Sequence, residues 1–213
     1  RDLPRHMIGN DFYKSTNFSN VGVGSIESFF IQNYLSSSRG KYFFEAGAVN
    51  GFHMSQTATL EKKYGWTGLL IEGHSELFSD LENSERKAIC RNYILGNGEE
   101  KIFEEKSSGY IGHSQLRNSI INKDCHPCFT TTIEECLTDS FAPQVIDFMV
   151  IDVEDSWLEV LSGIDFEKRE IDFLAIEMKG CEEHRVDSIQ MLKSQGLELI
   201  KVQNGEDFLF SKT

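Results

Sequence analysis

No apolar stretch of this sequence approaches the ~20 residues that a helix needs to cross a bilayer, so no membrane-spanning segment is expected within it. Positive charge is also in deficit: 21 Lys and Arg stand against 34 Asp and Glu, a formal charge of −13. A surface that negative repels phosphate backbones, which speaks against a nucleic-acid partner, although a solubilising acidic surface explains the charge by itself. The five cysteines (Cys90, Cys125, Cys128, Cys136, Cys181) are odd in number and lack the pattern of a small disulfide scaffold. "CHPC" at 125–128 has the spacing of half a zinc site or of a redox pair. No second pair stands at zinc spacing, however, and a redox pair would open a helix, whereas Pro127 and "FTTT" read as loop running into strand. These thiols are therefore read as buried or loop residues. Internal repeats, low-complexity tracts and the G-x-G-x-x-G pyrophosphate fingerprint are all missing.

The 213 residues, 39% hydrophobic with 16 Phe, suffice for one domain with a sizeable core. The chain begins at Arg1 rather than Met, which leaves room for a leader or anchor before it. Residues 1–24 carry little periodic signal and read as an arm. The arm includes Asn17-Phe18-Ser19, a glycosylation sequon of a kind that often arises by chance. "SIESFFIQNYL" (25–35) predicts a helix capped by Ser25, broken by "SSSRGK". The expected organisation is an N-terminal arm and helix over 1–40 and one domain over 41–213.

From residue 41 onward strands and helices alternate. "KYFFEAG", "TGLLIEG", "KAICRNYIL", "IDFMVIDV" and "IDFLAIEM" are the strands. "HMSQTATLEKKYG", "SELFSDLENS", "TTTIEECLTD", "SWLEVLSG" and "HRVDSIQMLKSQG" are the helices, and "EKIFEEK" is an extra strand in a polar insertion. Near-continuous apolar strands separated by helices predict an α/β fold with a parallel sheet covered on both faces. "LELIKVQNGEDFLFSK", with its Asn204-Gly205 turn, predicts a terminal antiparallel hairpin.

Ligands of such sheets bind beyond the carboxyl ends of the strands, where the strand order reverses. Four strands end there in acids: Glu45, Glu72, Asp152 with Glu154, and Glu177. Any one of these is an ordinary polar strand end, but four together repel unless a ligand, a cation or hydrogen-bond donors compensate. In "EAGAVNG", Gly47 and Gly51 permit a tight turn and a close backbone approach to a ligand. Glu72 stands where an acid accepts both hydroxyls of a ribose. A ribose without a diphosphate, beside an acid that holds an amino group, points to S-adenosylmethionine.

The blocks "FFEAGAVNGFHMSQTATLEKKYGWTGLLIEGHSELFSDL", "CFTTTIEECL" and "IDFMVIDVEDSWLEVLSGIDFEKREIDFLAIE", in order over about residues 41–210, together resemble the FkbM-type methyltransferases and their Star-like animal relatives. The resemblance implies a class I, Rossmann-like, doubly wound and mostly parallel seven-stranded sheet. It also implies S-adenosylmethionine as cofactor and O-methylation of a sugar, glycan or small natural product. On it, Glu45, Gly47, Ala48, Gly51 and Ser55 form the donor loop, Glu72 holds the ribose, and Asp152 and Glu154 face the acceptor. The compartment implied is the cytoplasm or the secretory lumen.

The sequence departs from the family's usual pattern at the acceptor end. Asp155 stands for a glycine and Trp157 for an acid, and Met178-Lys179 replaces a polar pair. Asp155 is expected to alter its loop and Trp157 to close the acceptor pocket, which opens the alternative of a non-catalytic binding domain.

As general base, Asp152 is the first candidate and Glu154 the second, with His53, His74 and His113 as alternatives. No metal is expected, although Asp152, Glu154 and Glu177 offer the oxygen ligands that suit magnesium.

Overall fold

The computed structural model describes residues 25–35, 40–106 and 113–213. The arm over 1–24, with its Asn17 sequon, lies outside the described residues. The elements in chain order are α1 (Ile26–Asn33), β1 (Tyr42–Ala46), α2 (Ala58–Tyr64), β2 (Thr67–Ile71), α3 (Ser75–Glu82) and β3 (Ile89–Arg91). Next come β4 (Glu100–Glu104), β5 (Gln115–Arg117), β6 (Cys125–Phe129), α4 (Ile133–Asp139), β7 (Val145–Ile146) and β8 (Phe148–Ile151). A 3₁₀ turn (Glu154–Ser156) leads into α5 (Trp157–Ser162), followed by β9 (Glu170–Ile171), β10 (Phe173–Glu177), α6 (Glu182–Ser194), β11 (Leu197–Gln203) and β12 (Asp207–Lys212).

Seven strands form the main sheet in the order β11-β12-β10-β8-β1-β2-β3. The β10-β8-β1-β2-β3 run is parallel, and β11 and β12 join it antiparallel. This is the expected α/β architecture with its terminal hairpin. Asn204 and Gly205 both take positive φ (53° and 79°) at the hairpin turn, a conformation those residue types tolerate.

Alternation along the strands assigns the two faces. Phe44, Leu69, Met149 and Leu174 pack under α4, α5 and α6 with Leu137, Leu161 and Leu192. Phe43, Leu70, Phe148 and Ala175 pack on the other face with Ile26, Phe30, Leu60 and Leu81. The helix before the first strand therefore belongs to the core, and the Phe30 ring stacks on Phe148 at 4.5 Å between centroids. Among the described residues no helix is long and apolar enough to cross a membrane.

Three local expectations change. The helix expected from His53 begins at Ala58, because Ser55, Gln56 and Thr57 donate to Glu45 and are drawn out of the helix. The insertion is a separate three-stranded antiparallel sheet, β5-β4-β6, rather than one strand. "CHPC" lies within β6, and Cys125 and Cys128, three positions apart on an extended strand, take opposite faces.

Glu27 of α1 is only 1% exposed and accepts from the amide and hydroxyl of Thr59 at 3.1 and 3.2 Å. Burial, reinforced by the charge of Glu45, pushes its pKa from 4.5 up to about 7. The folded state thus keeps a proton that the unfolded chain releases, so this group's contribution to stability is lost as pH rises through that interval. The melting temperature is expected to fall between about pH 5 and pH 8, and to fall less in Glu27→Gln. Equal falls in both proteins would remove Glu27 as a source.

Candidate functional site

The parallel order reverses between β1 and β8, and the two chain segments leaving those strands touch. Gly47, with φ of 80°, packs so tightly that a β-carbon there would sit 1.8 Å from the carbonyl oxygen of Asp152. No residue but glycine fits. Beyond it the loop holds two non-glycine residues at positive φ, Val49 (51°) and Met54 (56°). For β-branched Val49 this conformation is costly and persists only where its surroundings fix it.

Two buried networks do the fixing. Glu45, 3% exposed, accepts from Ser55 Oγ at 2.8 Å, the Gln56 amide at 2.7 Å and the Thr57 hydroxyl. Arg86, its side chain fully buried, donates to the Gly51 carbonyl, to Ser55 Oγ at 3.1 Å and to Thr57 Oγ1 at 2.9 Å, and pairs with Glu61 at 3.1 Å. Gly51 rests on that guanidinium stem, since a β-carbon there would approach Arg86 Cγ to 3.0 Å. Glu45 and Ser55, expected to meet the ligand, are thus engaged in shaping the loop. Ala48 is buried and donates its amide to the Ile71 carbonyl at 3.0 Å. Arg86 carries no motif and escapes sequence reading; its partners lie 25 to 35 positions away.

Glu72 follows β2 at the same rim. Its Oε2 accepts the Val49 amide and its Oε1 the His74 amide, each at 2.8 Å, which ties the second-strand acid directly to the strained loop. Burial pushes its pKa up to about 7 against those amide bonds. His74 caps α3 by accepting the Glu76 and Leu77 amides at Nδ1, while Nε2 lies 3.0 Å from the Lys106 carbonyl. Both ring nitrogens are thus engaged within the fold, which commits His74 to structure. Burial also lowers the pKa of His53.

On the other side of Gly47, one carboxylate oxygen each from Asp152, Glu154 and Glu177 lies within 4.8 Å of the others. Lys179 sits among them, its Nζ 2.5 Å from Glu154 and 3.0 Å from Glu177. Burial lowers its pKa, but those two carboxylates outweigh burial and raise it above the ordinary lysine range. Burial first, and then the charge of Glu177, raise the pKa of Asp152 well above the ordinary carboxylate range.

The departures at this end act differently from expectation. The positive φ falls on Glu154 (56°), whereas Asp155 stands on the exposed side of the turn. Trp157 does not close a pocket: its ring is 2% exposed in the core, and its indole N–H donates to the Lys179 carbonyl at 2.9 Å. The inserted sheet covers the same turn. The Leu116 amide donates to Ser156 Oγ at 3.0 Å, and His113 Nδ1 stands 3.8 Å from Glu154. With the Gln115 amide turned to satisfy both neighbours, it donates to Asp155 at 3.0 Å.

The FkbM methyltransferase domain profile matches residues 45–199. No curated protein sequence is significantly similar to the chain. Solved structures of similar fold include the METTL16 MTase domain, 10% identical with a TM-score of 0.51, aligned over 88% of this chain and 66% of that one. A TehB-like SAM-dependent methyltransferase from Corynebacterium glutamicum is 15% identical, with a TM-score of 0.47 over 88% of this chain and 87% of that one. The N-terminal domain of human METTL16 in complex with SAH is 12% identical, with a TM-score of 0.45 over 88% of this chain and 67% of that one. At such identities structural likeness speaks of the fold alone, and the family rests on the profile. That match runs from the acid inside β1 into β11, and the chain belongs to the FkbM methyltransferases, whose methyl donor is S-adenosylmethionine.

Proposed function

We propose that this methyltransferase acts on a hydroxyl oxygen of a sugar, glycan or small natural product. The observation that carries the reading is the division of one sheet rim into two carboxylate sites on either side of Gly47. Glu72 and the strained loop form one, and Asp152, Glu154 and Glu177 form the other.

The first site suits the donor. Each Glu72 oxygen accepts one amide, which leaves a lone pair on each for the two hydroxyls of a ribose. Gly47, Ala48 and Gly51 shape the backbone against which the donor lies, and Glu45 and Ser55 position that loop through Arg86. Bound S-adenosylmethionine supplies an electrophilic methyl group on a sulfonium.

The second site suits the acceptor. Its carboxylates hold a hydroxyl in line and take its proton, with Asp152 and Glu154 as the candidates. A formal charge of −13 argues against a polyanionic acceptor such as nucleic acid. One observation favours the second reading, a binding domain without turnover: Lys179 bridges Glu154 and Glu177, so two of the three carboxylates of the cluster are already engaged.

Two measurements test the site. S-adenosylhomocysteine is expected to bind more tightly as pH rises from about 6 to 8, since both oxygens of Glu72 accept from a diol only when that group is ionised and its pKa is about 7. Glu72→Ala is expected to cost about 1.5–3 kcal/mol of affinity and to abolish that pH dependence. Calorimetry that finds an unchanged dissociation constant would take Glu72 out of the donor site.

Asp152→Asn preserves size while removing basicity. It is expected to leave S-adenosylhomocysteine affinity within about twofold and to slow methyl transfer roughly 10²-fold or more. The assay follows product mass across glycans, hydroxylated small molecules and oligonucleotides. Undiminished transfer by the variant refutes the base assignment. Donor binding without any transfer by the wild type favours the non-catalytic reading, and transfer to oligonucleotides alone overturns the hydroxylated small-molecule class.

A further inference from the structure

Three carboxylates within 4.8 Å of one another are a familiar way to hold a divalent cation, because oxygen ligands at that spacing match the demands of magnesium or manganese. Here the space among them is already used. The Lys179 ammonium contacts Glu154 at 2.5 Å and Glu177 at 3.0 Å, and its side chain is 24% exposed. Its backbone is anchored as well: the carbonyl of Lys179 accepts the buried indole N–H of Trp157 at 2.9 Å, which joins the end of β10 to the start of α5. Glu154 is held at a positive φ of 56°, a conformation that needs support from its surroundings, and the bond to Lys179 supplies a partner for its carboxylate.

We infer that Lys179 is the resident cation of the acceptor rim: its ammonium takes the place of a divalent metal, fixes the Glu154 and Glu177 carboxylates, and excludes metal ions from the cluster. Lys179 is a positioning residue in this account, acting through the carboxylates it bridges. A compact point charge suits the role, since it donates to Glu154 and pairs by charge with Glu177 at 3.0 Å. The inference takes this rim as the acceptor side, as in the function proposed above, but its test reads the cluster itself and needs no acceptor.

The test uses Mn²⁺ as probe, followed by electron paramagnetic resonance and calorimetry on the full chain. The wild type and Lys179→Arg are expected to bind no Mn²⁺ at the cluster at millimolar concentrations. Lys179→Met removes the competing charge and is expected to gain one site, at least about tenfold tighter than any wild-type binding, which a further Glu154→Gln abolishes. S-adenosylhomocysteine affinity, measured on each variant, reports that the fold and the donor side are intact.

A second measurement needs only the wild type. Under trace acetylation Lys179 is expected to react at least tenfold more slowly than exposed Lys168, and faster in Glu154→Gln. Mn²⁺ bound by the wild type and lost in Glu154→Gln would overturn the inference. So would a folded Lys179→Met that gains no site. If Lys179→Met does not fold, acetylation decides: Lys179 reacting as fast as Lys168 shows an ammonium that is not held in the cluster. A failed methyl-transfer screen touches none of these outcomes.

Discussion

A parallel sheet that delivers carboxylates from four strands to one rim has an electrostatic problem before it has a function. Each of these groups is buried or half-buried, and each is tolerated because a different partner neutralises it. Glu45 accepts the Ser55 and Thr57 hydroxyls, which Arg86 holds in turn, while Arg86 pairs directly with Glu61. Glu72 accepts two backbone amides, one of them from the loop after β1. Glu154 and Glu177 share Lys179, and burial beside Glu177 raises the pKa of Asp152. Removing one partner of such a buried set leaves an uncompensated charge, which costs more than the pair contributed. The arrangement of the rim is therefore set by its counter-charges as much as by its acids.

Much of this fold was legible because it depends on local pattern. Apolar runs such as "FMVI" and "TGLLI" read as buried parallel strands, and the Asn204-Gly205 turn identified the hairpin whose antiparallel pairing the structure shows. The acids at the strand ends could be listed from the sequence for the same reason. Their partners could not. Arg86 meets Gly51, Ser55 and Thr57 across 29 to 35 positions, and nothing in "SERK" marks it as buried. The polar insertion read as a single strand because β5 is three residues long and carries little apolar alternation.

The start of α2 shows the same limit from the other direction. Residues 53–57 have helical neighbours and no proline or glycine, so local propensity extends the helix to His53. Glu45 instead claims the Ser55 and Thr57 hydroxyls and the Gln56 amide, and the strand-end acid overrides propensity. What the sequence presented as a ligand contact at Glu45 is a scaffold for the loop. Trp157 is a parallel case: its size suggested a wall for a pocket, yet its indole N–H, which must find an acceptor when buried, ties it to Lys179.

The inserted sheet joins the two halves of the rim. At one end it is tied to the β2 rim, where Glu105 accepts the Ser75 amide at 2.6 Å and the Lys106 carbonyl meets His74. At the other it is tied to the turn after β8 through Leu116 and Ser156, with His113 beside Glu154. The sheet is thus fastened to both halves of the rim through bonds that involve neither Arg86 nor the Glu72 carboxylate. The loop after β1 is held separately, by the Val49 amide on Glu72 and the Gly51 carbonyl on Arg86, and neither partner belongs to the insertion.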